Sequence, residues 1–160
     1  MNDIPVKDAY HTLGTTTKTV KEDTPLDCII EQFAHDPKVK GVFLVNSQGR
    51  FAGVITHADL LRWARVRLPS GLRWRPLPVG EVLRLIHASK ASDLARGKRN
   101  DLGVRPDETL ADALKQMVDY NEVDIPVLDQ QGKILGDLTL SEVLHKVLEL
   151  HPQSETPPVD

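Results

Sequence analysis

Two threonine–acid pairs are the residues of this sequence best placed to do chemistry. Thr56 precedes Asp59 by three positions, and Thr139 stands in the same relation to Glu142. An ionised carboxylate is a strong acceptor for ligand hydroxyl groups, and a helix N-terminus can donate toward a phosphate. The same spacing predicts a helix start in which the two side chains cap the first turn. Ligand contact and capping alone both stay open for Asp59, whereas the Thr-x-x-Glu sequence around Glu142 favours capping.

No other residues in the sequence have the spacing of a catalytic or metal site. Cys28 is the single cysteine, which excludes an internal disulfide framework and a multi-cysteine zinc site. The histidines are scattered without the spacing of a metal motif: His11, His35, His57, His87, His145 and His151. The sequence has no serine–histidine–acid order, no phosphate-binding glycine loop and no supported pair of catalytic carboxylates. We therefore expect no enzyme activity, no metal and no cofactor.

The composition indicates a compact protein with an aliphatic core. A chain of 160 residues fits one globular unit or two small ones, and its aromatic fraction is only 4%. The net charge of -3 argues against a nucleic-acid partner. No apolar run approaches the roughly 18 residues that span a bilayer, and residues 1–7 lack the apolar stretch of a secretion signal. We expect no membrane association and a cytoplasmic location.

The sequence repeats itself, with residues 20–61 resembling residues 104–144. A first block recurs at one constant spacing: Val20, Asp23, Leu26 and Gln32 become Val104, Asp107, Leu110 and Gln116. A second block recurs at a spacing one residue shorter: Gln48, Gly49, Gly53, Thr56 and Leu61 become Gln131, Gly132, Gly136, Thr139 and Leu144. One single-residue gap explains the change, so the chain contains two copies of one structural unit.

Each copy predicts a strand, a helix, two strands and a second helix. In the first copy, Thr24-Pro25 offers a capping hydroxyl and a proline at the first helical position, followed by apolar residues at helical spacing. The apolar run 42–45 ends in turn residues, which predicts a hairpin with the strand 51–55. The next helix starts at Thr56, and a short strand around Thr19-Val20 leads into the copy. The second copy repeats this order, with its lead-in strand around Gly103-Val104.

A segment without a counterpart, residues 66–90, separates the copies. It opens with a cluster of helix-breaking residues and predicts a helix from Val79 to His87. The tail, residues 151–160, has three prolines and no apolar periodicity, which predicts a flexible segment. We expect a first domain with its lead-in segment at 1–65, an insert at 66–90, a second domain at 91–150 and the tail at 151–160.

The doubled pattern resembles the cystathionine-beta-synthase (CBS) domain. The features that carry the resemblance are Val-x-x-Asp-x-x-Leu, an apolar run ending in Asp or Asn, and Gly-x-x-Thr followed by an acid. The second copy is the closer match, through its residues 107–110, 125–129 and 136–139. Residues 4–8 and 91–94 resemble the short lead-in helix that precedes each such domain. The resemblance implies an α+β (α/β) fold in which two CBS domains pack through their sheets about a pseudo-two-fold axis.

The resemblance also implies a ligand and a set of contacts. Paired CBS domains can hold AMP, ADP, ATP or S-adenosylmethionine in clefts between them, and such pairs often dimerise. Threonine and acid would bind the ligand's phosphate and ribose, and backbone groups before the first hairpin strand would contact the base. The implied ligand-binding residues are Thr19, Val20, Val39, Lys40, Gly41, Val42, Thr56 and Asp59 in the first copy. In the second copy they are Gly103, Val104, Val123, Asp124, Ile125, Pro126, Thr139 and Glu142.

Three functions follow from these observations. The resemblance favours a regulatory module that senses an adenosine-type ligand and signals to a separate effector protein, as a homodimer. If Asp59 and Glu142 only cap helices, the alternative is a structural dimerisation module with empty clefts. A nucleic-acid-binding role would rest on the arginines around the insert, Arg62, Arg65, Arg67, Arg73 and Arg75. These arginines, like Arg96, Lys98 and Arg99, either pair with a polyphosphate or form a solvated surface.

Overall fold

The computed structural model of the chain describes residues 3–10, 17–68, 76–95 and 101–151. The first copy consists of β1 (Thr17–Lys21), α1 (Leu26–His35), β2 (Gly41–Val45), β3 (Phe51–Thr56) and α2 (His57–Arg67). Two helices follow, α3 (Val79–Ile86) and α4 (Ala91–Leu94). The second copy consists of α5 (Leu110–Tyr120), β4 (Asp124–Leu128), β5 (Ile134–Thr139) and α6 (Leu140–Leu150). A 3-10 turn at Val6–Asp8 precedes them all. The predicted α+β fold is confirmed, and α3 is the helix that the sequence predicts in the insert.

The two hairpins are built alike because the same turn chemistry recurs in each. In the first, the Asn46 Oδ1 accepts hydrogen bonds from the N–H groups of Gln48 and Arg50, at 2.9 and 3.0 Å. In the second, the Asp129 Oδ1 accepts from Gln131 and Lys133, at 2.8 and 2.9 Å. An Asn or Asp side chain that binds the backbone two residues on is a standard turn former. The repeat therefore extends from the sequence to individual hydrogen bonds.

The lead-in strands of the two copies differ. The strand β1 pairs in parallel with β2 along its full length, whereas Val104 forms only an isolated bridge with Val127. In the second copy, the Gln116 side chain accepts from the Gly103 N–H at 2.7 Å and donates to the Gly103 carbonyl at 2.5 Å. Because these backbone groups already have partners, Gly103 cannot extend the ladder with β4. The strand predicted around Gly103-Val104 is thereby reduced to one bridge.

The start of α1 differs from the prediction that Thr24 caps it. Pro25 is the residue before the first helical turn, and no side chain caps this helix. The Leu26 N–H instead donates to the Ser89 carbonyl at 3.0 Å, and Pro25 forms a bridge with Lys90. A backbone carbonyl from a distant segment replaces the threonine hydroxyl as the acceptor for this N–H group.

The lead-in segments are exchanged between the two copies, which means that each segment bonds to the copy that it does not precede in the sequence. Residues 4–7 hydrogen bond to the second copy, with Val6 N–H donating to the Glu108 carbonyl at 2.7 Å and Leu110 N–H donating to the Ile4 carbonyl at 2.8 Å. Residues 89–92 bond to the first copy in the same way, since Ala91 N–H donates to the Thr24 carbonyl at 2.8 Å. Each copy therefore completes its fold with the segment that precedes the other copy in the sequence.

Equivalent residues of the two copies also meet between the hairpins. Arg50 forms an antiparallel bridge with Lys133, its counterpart in the repeat, and Phe51 N–H donates to the Gly132 carbonyl at 2.9 Å. Contact between equivalent positions is the mark of a two-fold relation. The pseudo-two-fold axis passes through this point.

The core is divided by the sheet of the first copy. Val42, Leu44 and Ile55 pack with α1 and α4, while Phe43 and Val54 join a cluster formed mainly by the second copy. Side chains of a strand alternate between faces, so a strand buried on both faces must be apolar throughout. This explains the uninterrupted apolar run at residues 42–45. The two copies thus share one of these clusters, which includes Phe43 and Val54 from the sheet of the first copy.

The exchanged helix α4 should contribute strongly to stability. Leu94 lies on α4 and is fully buried against the core of the first copy. We expect Leu94→Ala to lower the free energy of unfolding by about 2–5 kcal/mol, because it leaves a cavity. Leu61→Ala is the control, since Leu61 is 71% exposed on α2 and its change should fall within about 0.5 kcal/mol. Urea unfolding measures the free energy of unfolding of both variants. Equal decreases would contradict the burial of Leu94 against the first copy.

The same helix should make stability depend on pH. The Ser89 N–H hydrogen bond, at 3.0 Å, holds the pKa of the Asp93 carboxyl below its usual value, and the Lys90 N–H adds to this effect. Because the folded pKa is the lower one, the carboxylate stabilises the fold above about pH 4 and loses this effect as the pH falls through the folded pKa. In urea titrations, the stability difference between wild type and Asp93→Asn should shrink below about pH 4. A constant difference would contradict this role.

Candidate functional site

A cleft of about 230 Å³ lies between the two copies. Its residues from the first copy are Lys40, Gly41, Phe43, Val54, Thr56, His57 and Ala58. Its residues from the second copy are Asn121, Glu122, Val123 and Asp124. The cleft therefore joins the start of β2 and the N-terminus of α2 to the segment that leads into β4. Any molecule bound there would touch both domains at once.

Local structure fixes each wall of the cleft. Phe43 and Val54 belong to the shared core, so they form a rigid apolar floor. On the second wall, Asn121 adopts a left-handed conformation with φ 54° and ends α5, which turns the chain toward β4. On the first wall, the His57 Nε2 lies 3.2 Å from the Val39 carbonyl oxygen, and its ring packs edge-on against Phe33. The imidazole thus sits at the backbone group before β2 that was expected to contact a base.

Asp59 lies at the first turn of α2 and is 1% exposed. Its Oδ2 accepts from the Thr56 N–H at 2.9 Å and from the Thr56 hydroxyl at 3.2 Å. Its Oδ1 is 2.6 Å from the Nη2 of Arg62. Asp59 therefore acts in the helix cap and in an ion pair at the same time. The structure holds this carboxylate among protein groups, beside the cleft and not among its lining residues.

Glu142 occupies the corresponding position of α6 and also caps its helix. The Thr139 N–H donates to Glu142 Oε2 at 2.8 Å, and the Glu142 N–H donates to the Thr139 hydroxyl oxygen at 3.3 Å. This reciprocal bonding is the capping box that its sequence predicts. Capping is therefore present in both copies.

The structure brings together only part of the expected ligand set. Lys40, Gly41, Thr56, Val123 and Asp124 line the cleft. Five others are buried and do not line this cleft: Val39, Val42, Val104, Ile125 and Pro126. The remaining six lie outside the lining of this cleft: Thr19, Val20, Asp59, Gly103, Thr139 and Glu142. For Gly103, the bonds to Gln116 occupy the backbone groups that would face a ligand.

The sequence did not indicate several residues of the cleft. Phe43, Val54, His57, Ala58, Asn121 and Glu122 all line it without having been expected to. His57 could have been suspected, since it directly follows the threonine at the helix start. Glu122 is 9% exposed, and its burial follows from the turn at Asn121, which no local pattern predicts.

The arginines near the insert have protein partners where the structure describes them. Arg62 pairs with Asp59, and Arg67 lies 5.2 Å from the centre of the Trp63 ring. Arg67 also donates to the carbonyls of Leu85 and Ile86 at the end of α3. Arg73, Arg75, Arg96, Lys98 and Arg99 lie outside the described residues, as does the tail after His151.

The described residues give no sign of a metal centre or of a membrane-spanning element. Among them, no group of three or more His, Cys, Asp or Glu side chains could hold a metal ion. No helix in the same part of the chain is long and apolar enough to cross a bilayer.

A family model of the CBS domain matches residues 3–65 and 91–149. The chain therefore belongs to the CBS domain family, and it carries two copies of the domain. This confirms the family that the doubled sequence pattern indicated.

Individual relatives agree with this assignment. The chain is 27% identical over 143 residues to an uncharacterized protein of Methanocaldococcus jannaschii, covering 81% of this chain and 84% of that protein. A CBS domain-containing protein from Thermotoga maritima has a similar crystal structure, with a TM-score of 0.67, 26% identity and coverage of 98% of this chain and 100% of that chain. CBSX2 of Arabidopsis thaliana, solved in complex with AMP, also has a TM-score of 0.67, with 23% identity and coverage of 92% and 98%. This last likeness concerns the fold.

Proposed function

We propose that this protein is a non-catalytic regulatory module that binds an adenosine-type ligand between its CBS domains and signals to a separate effector protein. The observation that carries the proposal is the cleft lined by both copies. A ligand that contacts both domains changes the free energy of their arrangement, which is the physical requirement for a signal. The AMP bound by CBSX2 supports this ligand class. AMP, ADP, ATP and S-adenosylmethionine are the candidate ligands.

The cleft offers groups suited to such a ligand. Phe43 and Val54 provide an apolar floor for a base. His57 and Ala58 at the start of α2 also line the cleft, and a helix N-terminus can donate toward a phosphate. Lys40 adds a positive charge to the same wall. The cleft volume of about 230 Å³ is below the roughly 300–1,000 Å³ of ligand pockets, so we propose that the cleft widens when a ligand binds.

Thermal unfolding with each candidate ligand tests the proposal. A ligand that binds only the folded protein adds about 2.7 kcal/mol of stability at 100 times its dissociation constant. AMP, ADP, ATP, S-adenosylmethionine and an RNA oligonucleotide should be compared at matched ionic strength. Stabilisation by at least one adenosine compound supports the proposal. Stabilisation by RNA alone would favour nucleic-acid binding instead.

The second candidate is a structural dimerisation module without a ligand. It is favoured by the capping contacts of Asp59 and Glu142, which give both acids a role that needs no ligand. It is also favoured by apolar side chains left exposed on α5 and α6: Leu114, Val118, Leu144, Val147, Leu148 and Leu150. Absence of any thermal shift with all the compounds would leave this function ahead.

The domain boundaries are part of the proposal. We place the first domain at 1–65, the insert at 66–90, the second domain at 91–150 and the tail at 151–160. The exchanged hydrogen bonds mean that each lead-in segment packs with the other domain. A cytoplasmic location remains a prediction.

The two acids should differ in function. Two hydrogen bonds from ribose to a carboxylate contribute about 1.5–3 kcal/mol each before compensation by water. Asp59→Asn should therefore weaken binding of AMP or ATP at least about tenfold. Glu142→Ala should mainly lower stability, by about 0.5–2 kcal/mol, as for a lost cap. Calorimetric titration and urea unfolding of both variants separate the effects. Lost affinity in the Glu142 variant, with unchanged affinity in the Asp59 variant, would reverse the assignment.

The exposed apolar residues of α5 and α6 should be covered in solution by a second copy of the chain. Light scattering should then give about twice 17.8 kDa. Leu148→Glu should shift the mass toward the monomer, because Leu148 is 60% exposed on α6 and a charge there would be buried on association. Leu68→Glu is the matched control, at 65% exposure away from these two helices. A concentration-independent monomer in the wild type would refute the dimer.

A further inference from the structure

Asp59 cannot accept a ribose while it keeps the partners seen in the structure. A carboxylate offers about four lone-pair sites. The Thr56 N–H, the Thr56 hydroxyl and the Arg62 guanidinium occupy at least three of them. A ribose donates two hydroxyl protons, and Asp59 is only 1% exposed. Ligand binding at this acid therefore requires one of these contacts to break, and Arg62 is the partner with a second acid nearby.

Arg62 has a second acid within reach. Its Nε lies 3.4 Å from Glu81 Oε1 on the insert helix α3. Among the described residues this Nε makes no hydrogen bond, so the contact with Glu81 is an ion pair that can still tighten. A guanidinium binds one carboxylate best through two parallel hydrogen bonds. Glu81 can therefore receive Arg62 when it leaves Asp59.

Glu81 is itself held in place by the insert. Arg84 Nη2 lies 3.8 Å from Glu81 Oε1, and Arg84 Nη1 donates to the Asp93 carbonyl of α4 at 2.7 Å. A line of charges thus runs from Asp59 through Arg62 and Glu81 to the exchanged helix α4. The second copy differs at this point, because His145 stands at the position equivalent to Arg62.

We propose that Arg62 is a gate on the first ligand site: it closes Asp59 to ribose, and Glu81 of α3 draws it away when an adenosine ligand binds. This inference rests on the proposed function, since it concerns the same acid. It adds that α3, which lies between the copies in the sequence, sets the affinity of that site. Ligand binding then tightens the contact between α2 and α3.

The test uses the two ends of the gate, which should act in opposite directions. Arg62→Met keeps the length of the side chain but removes its donors, so it should strengthen adenosine binding about fivefold or more. Glu81→Gln removes the acceptor for the displaced arginine, so it should weaken adenosine binding. The double variant should match Arg62→Met, because Glu81 acts only through Arg62. Adenosine is the probe because it has no phosphate for Arg62 to bind.

Calorimetric titration of the full-length variants gives the affinities. Lys115→Met is the control, since Lys115 pairs with Asp119 on the exposed face of α5, and it should leave affinity unchanged. Urea unfolding checks that each variant is folded, and Arg62→Gln replaces Arg62→Met if the latter is not. Hydrogen exchange of α3 amides gives a second readout: adenosine should slow it in the wild type and not in Glu81→Gln.

The outcomes separate the gate from the function beneath it. If the wild type binds adenosine and Arg62→Met binds it with the same or a lower affinity, the gate is refuted and the proposed function stands. Binding in Arg62→Met without detectable binding in the wild type supports the gate. Absence of binding by adenosine, AMP, ADP, ATP and S-adenosylmethionine in every variant refutes the ligand-sensing function and the gate with it.

Discussion

The exchanged backbone hydrogen bonds of the two lead-in segments are the contact on which the rest of the structure depends. The first N–H groups of a helix have no partner within the helix and need an acceptor from elsewhere. For α5 one of these acceptors is the Ile4 carbonyl, and for α1 it is the Ser89 carbonyl. Each acceptor belongs to the segment that precedes the other copy. The two domains therefore cannot separate without exposing both helix starts.

The shared core gives the cleft one rigid side. Phe43 and Phe51 meet edge to face, with ring centres 5.9 Å apart, where the two sheets pack together. This places two of the three phenylalanines of the chain where both domains use them. Phe43 also lines the cleft, so the floor cannot move without disturbing the core. A ligand that widens the cleft would therefore act on its polar walls, which are the start of α2 and the turn around Asn121.

Local sequence patterns predicted most of the helices and strands. The features that they did not predict are contacts between residues far apart in the sequence. The hairpins, the helix at Val79 and the repeat follow from turn residues and periodicity, which act over a few neighbouring positions. The lead-in exchange joins carbonyl and N–H groups far apart in sequence, and backbone groups leave no mark on residue type. The bonds between Gln116 and Gly103 were hidden for the same reason.

The candidate site shows the same division. The Thr-x-x-acid spacing predicted the caps at Asp59 and Glu142, because a cap is a local structure. Which of the expected residues share a cleft depends on how the copies pack, and only five of them do. The pair between Asp59 and Arg62 could have been inferred, since opposite charges three positions apart on a helix lie side by side. Its link to Glu81 depends on where the insert helix packs.

Asp59 and Arg62 of the first copy correspond to Glu142 and His145 of the second. The burial of charge explains why the two positions differ together. A carboxylate removed from water is costly unless it is paired and hydrogen bonded. The short side chain of Asp59 keeps its charge buried, and Arg62 supplies a paired charge that Glu81 steadies from α3. Glu142 has a longer side chain and lies at a less buried helix start, where Thr139 donates to it in the capping box. His145 stands at the position equivalent to Arg62. The buried aspartate, the arginine and the insert helix therefore form one unit in the first copy. A change at α3 therefore reaches Asp59 through the contact between Glu81 and Arg62.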